Sequence, residues 1–248
     1  MSKVVKHELV FDLAKQKEFW KISEKGNAED DLETLKELVT SRHVNIHLCN
    51  NEHEDGWTGI HFASCNGEIA FIKLFLLNGV NINAIDGRGW TALHTAAYYG
   101  QSETVEFLIQ NGADVKKKDF QAFTPLHAAA LKGQNMPIRI LLETTNQVNV
   151  DEKDKSGFTA LHFASVNGHH DTVELLLAKK ANVNSSNRNG YTALHWAAQK
   201  GHLATVKILV KSGADVFCKS LKGQTAFDLA RFYNKTQTVH YFIDHRVG

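Results

Sequence analysis

The apolar positions of this chain come in pairs of short bursts separated by polar turns. In residues 86–118, DGRGWTALHTAAYYGQSETVEFLIQNGADVKKK, Thr91 stands at a helix N-cap ahead of ALHTAAYY, and Gly100 ends that helix. Ser102 can cap a second helix with Glu103 in its first turn, and Val105, Leu108 and Ile109 give it an i, i+3, i+4 apolar stripe. Asn111-Gly112 stops it, and an extended stretch leads into the next turn. The alanines of the first helix mark a surface that a neighbouring element must approach closely. One such unit cannot bury its stripe alone, so it has to stack on others.

The others are present. GWTGIHFASCNG (56–67), AFTPLHAAALKG (122–133), GFTALHFASVNG (157–168) and GYTALHWAAQKG (190–201) rewrite the same phrase, and GQTAFDLARFYN (223–234) is a worn copy. The histidines His61, His94, His127, His162 and His195 lie 33, 33, 35 and 33 residues apart, and Asp228 follows His195 by 33. This period divides the chain into five units, at 53–85, 86–118, 119–153 (with a two-residue insertion), 154–186 and 187–219. A helical capping region at 1–52 and a degenerate capping repeat at 220–248 flank them.

The recurrent pattern Asp-x-x-Gly-x-Thr-[Pro/Ala]-Leu-His-x-Ala-Ala-x-x-Gly, followed by x-x-Val-x-x-Leu-Leu and Gly-Ala-Asp-Val-Asn, resembles the ankyrin repeat. The resemblance implies an all-α solenoid of stacked helix-turn-helix units, with hairpin loops projecting along one edge. It further implies that each repeat histidine tethers its own turn to the adjacent one.

The ends read as caps. Residues 17–50 keep the helix-turn-helix rhythm without Thr-x-Leu-His, and Glu29, Asp30 and Asp31 suit a helix N-terminus. Lys3 to Lys17 reads as an additional N-terminal helix burying Leu9, Leu13 and Val10. At the other end Arg231 and Asn234 replace a small alanine and a glycine, which predicts a polar outer face. Besides the insertion in TTNQVNVDEKDKSG, a second one lengthens the first hairpin at HLCNNEHEDG.

Composition narrows the function. Lys and Arg number 28 against 27 Asp and Glu, a net charge of +1 that provides no field for a polyanion such as nucleic acid. No uncharged apolar run approaches the ~20 residues that span a bilayer, and the first residues lack a secretory pattern. Cys49, Cys65 and Cys218 are odd in number and far apart, as suits a reducing compartment, the cytosol or the nucleus. No pair of histidines shows the His-x-x-x-His spacing on one continuous helix that a zinc site needs, and no nucleophile-elbow, phosphate-loop or dinucleotide motif occurs. The expectation is a monomeric, non-catalytic protein-interaction module or scaffold without cofactor or metal. A targeting adaptor that delivers a bound protein to a separate enzyme, as a secreted effector can, is the alternative.

In a repeat array the positions that vary while the frame stays fixed are the candidates for recognition. One is the aromatic between glycine and threonine: Trp57, Trp90, Phe123, Phe158 and Tyr191. Another is the pair before the helix-ending glycine, which includes Tyr98, Tyr99, Lys132, Asn167 and Lys200. A third is the hairpin tip, with Arg88 and Phe120. The expected contact surface is an aromatic ladder densest around Trp90, Tyr98, Tyr99, Phe120 and Phe123, with a basic rim of Arg88, Lys132 and Lys155 suited to an acidic partner.

Overall fold

The computed structural model describes residues 13–25, 28–41, 44–48, 55–144 and 147–245. These contain fourteen helices in seven consecutive pairs. The pairs are α1 (Leu13–Lys25) with α2 (Ala28–Thr40), α3 (Gly59–Asn66) with α4 (Ile69–Leu77), and α5 (Ala92–Tyr99) with α6 (Ser102–Gln110). Then come α7 (Pro125–Lys132) with α8 (Asn135–Glu143), α9 (Ala160–Asn167) with α10 (His170–Ala178), α11 (Ala193–Lys200) with α12 (Leu203–Lys211), and α13 (Ala226–Phe232) with α14 (Thr236–Asp244). Odd-numbered helices stack on odd ones and even on even, so the chain forms two parallel rows.

The first-helix row packs more closely than the second-helix row. Its composition explains why. Ala96, Ala97, Ala129, Ala130, Ala164, Ala197 and Ala198 are fully buried, and a methyl group is the largest side chain that two backbones this close admit. The second helices contribute the larger apolar groups, Phe71, Ile72, Val105, Leu108, Ile138, Leu141, Val173, Leu176, Val206 and Leu209, which fill one continuous core.

Each first helix is bounded by its sequence. Thr58, Thr91, Thr124, Thr159, Thr192 and Thr225 hold the N-cap in extended backbone. Gly67, Gly100, Gly133, Gly168 and Gly201 close the C-terminus in the left-handed region, and in the worn copy Asn234 takes the same conformation at φ 54. Between helix pairs the hairpin tips form a ladder, in which Phe120 N donates to Arg88 O, Lys155 N to Gln121 O, Arg188 N to Ser156 O and Leu221 N to Asn189 O. The side chains of Asp86, Asp119, Asp154 and Asn187 each accept from two backbone N–H groups of their own turn, which rigidifies every tip.

The ends differ from expectation in two ways. There is no separate helix ending at Lys17: α1 begins at Leu13 and runs through to Lys25, burying Phe19 and Ile22, while Leu9 and Val10 lie outside the described residues. The Glu29-Asp30-Asp31 run does fall at the start of α2. The last repeat is not uniformly polar outside, since Phe232 is 73% and Ile243 56% exposed. Most of the first-hairpin insertion, residues 49–54, and two residues of the second, 145–146, lie outside the described residues.

Gly168 provides a test of the helix ends. Its φ is 73°, and a Cβ there would stand 2.7 Å from His202 Nδ1. Gly168→Val should therefore destabilise the fold by more than ~1 kcal/mol in urea unfolding, through both strain and clash. Gly213→Ala, at φ 87° with nothing within 4 Å of the added Cβ, should be the milder change.

Candidate protein-interaction surface

The repeat histidines organise the hairpin side of the array. In each copy the N-cap threonine N–H donates to Nδ1 of the histidine three residues on, for example Thr91 to His94 at 3.2 Å and Thr124 to His127 at 3.0 Å. That leaves the proton on Nε2, which donates to a carbonyl of the next repeat. The acceptors are Trp90 O for His61 (2.9 Å), Phe123 O for His94 (3.1 Å), Tyr191 O for His162 (3.0 Å) and Gln224 O for His195 (3.1 Å). His127 bonds Glu152 O at 2.9 Å instead, in the lengthened loop. In the last repeat Asp228 keeps the bonds to Thr225 at 2.9 and 2.8 Å but has no ring to reach onward.

A second set of tethers was not anticipated from sequence. After four of the five helix-ending glycines the next residue reaches back to the preceding repeat: Gln101 to Cys65 O, Gln134 to Tyr98 O, His169 to Leu131 O and His202 to Val166 O. The signal available was only that in these four repeats the slot holds Gln or His, long enough and able to donate.

The aromatic column requires a correction. Trp57, Trp90 and Phe123 are buried, at 5%, 7% and 8% exposure, so they are not the contact surface expected of them. Phe158 and Tyr191 are half-buried. The cause is stacking between hairpins: the Trp90 and Phe123 rings lie parallel, with centroids 6.0 Å apart and planes 6° off. Trp90 Nε1 donates to the Asp119 carboxylate at 3.0 Å, and Tyr191 Oη donates to Gln224 at 3.1 Å. The column is mortar between repeats.

What lies over it is accessible. Trp90, Phe123 and Ala128, with Tyr98, Leu131 and Phe163, form an apolar cluster distinct from the main core. Tyr98 stands edge-on to Trp90 at 5.3 Å and to Tyr99 at 5.1 Å. Tyr99 and Phe120 are 46% and 54% exposed. Two cations cover the cluster: the Arg88 guanidinium lies 4.5 Å above the Trp90 ring and Lys132 Nζ 4.8 Å above Tyr98. Arg88 also pairs with Asp55 at 3.1 Å. Lys155, Asn167 and Lys200 are exposed on the same side, and the Asn167 amide donates to Phe163 O. Arg88, Tyr98, Tyr99 and Lys132 thus gather at this cluster, Phe120 stands on the next hairpin tip with its N–H on Arg88 O, and Asn167 and Lys200 lie one and two repeats further along. Phe163 and Trp196, at the variable position after the histidine, pack on Phe158, a role not read from sequence.

Chemistry at the thiols and lysines is muted. Burial pushes the Cys65 thiol up, as it does Cys218, away from a reactive thiolate. Lys118 pairs with Glu152, and Lys179 with Glu143, each at 2.7 Å. Among the described residues no three His, Cys, Asp or Glu side chains could hold a metal ion together, and no helix is long and apolar enough to cross a membrane.

The family model for ankyrin repeats matches three times, over residues 25–119, 120–187 and 179–248. The chain belongs to the ankyrin-repeat family. Repeats of this family are in general protein-interaction modules, which agrees with the exposed aromatic and cationic groups just described. No curated protein matches the chain.

The ankyrin histidines make the fold acid-sensitive. Burial pushes His94 and His162 down to about 4, and lowers His127 and His195 in the same direction. In the unfolded chain each titrates near about 6.5. The folded values are depressed, so these rings cost nothing above about pH 6.5 and weaken the fold as pH falls from about 6.5 toward about 4, where only the unfolded chain takes up the protons. His94 and His162 alone should make the unfolded state bind about two more protons than the folded state at pH 5. The melting temperature should therefore fall through that window. An unchanged value between pH 7 and 4.5 would refute the neutral tethers.

Proposed function

We propose that this protein is a non-catalytic binding module whose partner docks on the hairpin and first-helix side of repeats 86–118 and 119–153. The observation that carries this reading is the apolar cluster under Arg88 and Lys132, with half-exposed Tyr99 against Tyr98 and half-exposed Phe120 on the neighbouring hairpin tip. Aromatic and arginine side chains on a rigid, already desolvated floor are the composition of binding hot spots. The fit is to an apolar side chain resting between Tyr99 and Phe120, flanked by acidic groups that meet Arg88, Lys132 and Lys155. Cationic rims of this kind act mainly on encounter rate and specificity. The free thiols Cys65 and Cys218 are compatible with a reducing compartment, the cytosol or the nucleus.

The buried and exposed aromatics separate stability from binding. Truncating Trp90 to Ala removes a buried ring and should cost ~3–5 kcal/mol of fold stability. Truncating Tyr99 or Phe120 should leave the melting curve nearly unchanged and weaken a partner captured by the parent protein by ~2 kcal/mol or more. Glu106→Ala, on the exposed face of α6, should change the same affinity by less than ~0.5 kcal/mol. Titrations by calorimetry in which Tyr99→Ala and Phe120→Ala bind like the parent while Glu106→Ala does not would move the site to the second-helix face.

A further inference from the structure

Successive repeats are also joined through the loops that lead into the hairpins. Three of the four junctions among the five full repeats carry the same tether. Asn83 Oδ1 accepts from Asp114 N (2.9 Å), Asp151 Oδ1 from Asn182 N (2.9 Å) and Asn184 Oδ1 from Asp215 N (2.8 Å). Where 86–118 meets 119–153 the equivalent pair is Lys116 and Asn149. A lysine side chain has no acceptor, so the tether cannot form. Among the described residues Asn149 N makes no hydrogen bond, and Lys116 is exposed and makes no ion pair.

A crevice of about 310 Å³ opens at this junction, lined by Val115, Lys116 and Lys118 of one loop and by Val148, Asn149 and Glu152 of the next. The lengthened loop is pinned beside it. Glu152 turns its carbonyl onto His127 Nε2 at 2.9 Å and its carboxylate onto Lys118 at 2.7 Å. That ion pair neutralises Lys118, so of the charged groups lining the crevice Lys116 is the one left to meet an anion. The other carboxylates of these two loops, Asp114, Asp119, Asp151 and Asp154, already accept backbone N–H groups. Of the other lysines, Lys117 is half-buried and Lys153 donates to Ser186 O at 2.8 Å.

The tethered junctions show what this one fits: an Asn or Asp side-chain oxygen set on the backbone N–H of the following loop. Here a cation stands in place of that oxygen, and a cation favours a carboxylate over a carboxamide. We propose that the crevice receives an aspartate or glutamate side chain of a bound protein segment. Its carboxylate accepts from Asn149 N–H and from the Lys116 ammonium, and its apolar neighbour rests on Val115 and Val148. The partner thereby completes the joint that the chain leaves unmade between these two repeats. The crevice shares no residue with the Tyr99–Phe120 surface, so failure of one reading is distinguishable from failure of the other.

The probe is the blocked dipeptide N-acetyl-glutamyl-valinamide, titrated to ~20 mM into the nitrogen-15-labelled full chain, because one side chain on an exposed site binds only at millimolar levels. The Asn149 amide resonance should move downfield and saturate with a dissociation constant of ~1–10 mM. The amides of Asp114, Asn182 and Asp215, already bonded to side chains, should not follow. The N-acetyl-glutaminyl analogue should bind ~10-fold more weakly. Lys116→Ala replaces an exposed side chain, so it should keep the parent's circular dichroism and lose affinity for the glutamyl probe by a similar factor. Lys116→Asn should abolish the response, since the chain then supplies its own acceptor as Asn83 does. An Asn149 amide unmoved at ~20 mM, or moved equally by the two dipeptides, overturns the proposal. A response that survives in Lys116→Asn overturns it in favour of another site.

Discussion

The structure depends on one hydrogen-bonded relay: threonine N–H to histidine Nδ1, histidine Nε2–H to the carbonyl of the next repeat. A histidine ring is rigid and has two nitrogens on opposite edges, so one side chain can satisfy a helix N-cap and bridge to a neighbour at once. The neutral imidazole carries its acceptor and its donor on opposite edges of one rigid ring, without the extra rotatable bond that precedes a Gln amide. The relay works only if the rings are neutral. Their burial ensures this, since it depresses the values of His94, His127, His162 and His195. The same burial that makes the bonds strong makes them sensitive to acid.

Close approach of the first helices follows from the relay. A ring bridging to a carbonyl at about 3 Å sets how near adjacent turns must lie, and at that separation only Ala or Ser fits on the facing helix surfaces. The larger apolar groups are displaced to the second-helix row, which packs less tightly. The glycines at helix ends belong to the same constraint, because the back-reaching Gln101, Gln134, His169 and His202 side chains pass directly over them. Sequence period, small residues, glycines and tethers are therefore consequences of a single spacing.

That is why the frame was legible in the sequence and the surface was not. Helix pairs, N-caps and C-terminal glycines are encoded within a few residues of one another, so reading one repeat was enough to place them. Whether Trp90 is exposed is decided by Phe123 and Asp119, which arrive about one repeat later and cover it. A position flanked by hairpin tip and N-cap looks like an edge in the single repeat and becomes an interior in the stack. Tyr99 and Phe120 stay exposed because no following repeat covers either one, and nothing in their local sequence distinguishes them from Trp90. The N-terminal pair keeps the rhythm without its motif, and its described first helix starts at Leu13, earlier than the rhythm alone suggested.

The same dependence on the next repeat gives the terminal one its character. Gln199 and Phe232, or Val210 and Ile243, occupy equivalent slots and differ in exposure because, among the described residues, a following repeat packs on only the first of each pair. A purely polar cap would carry Lys or Glu in those slots. The last repeat places Asp228 for the histidine, Arg231 for the alanine and Asn234 for the glycine, and keeps apolar side chains in the exposed slots. Loss of the ring and of the small side chain removes two features that the inner repeats use to stack. The aromatics and cations proposed for binding lie apart from that end, on the side of the array and above a floor that stacking buries.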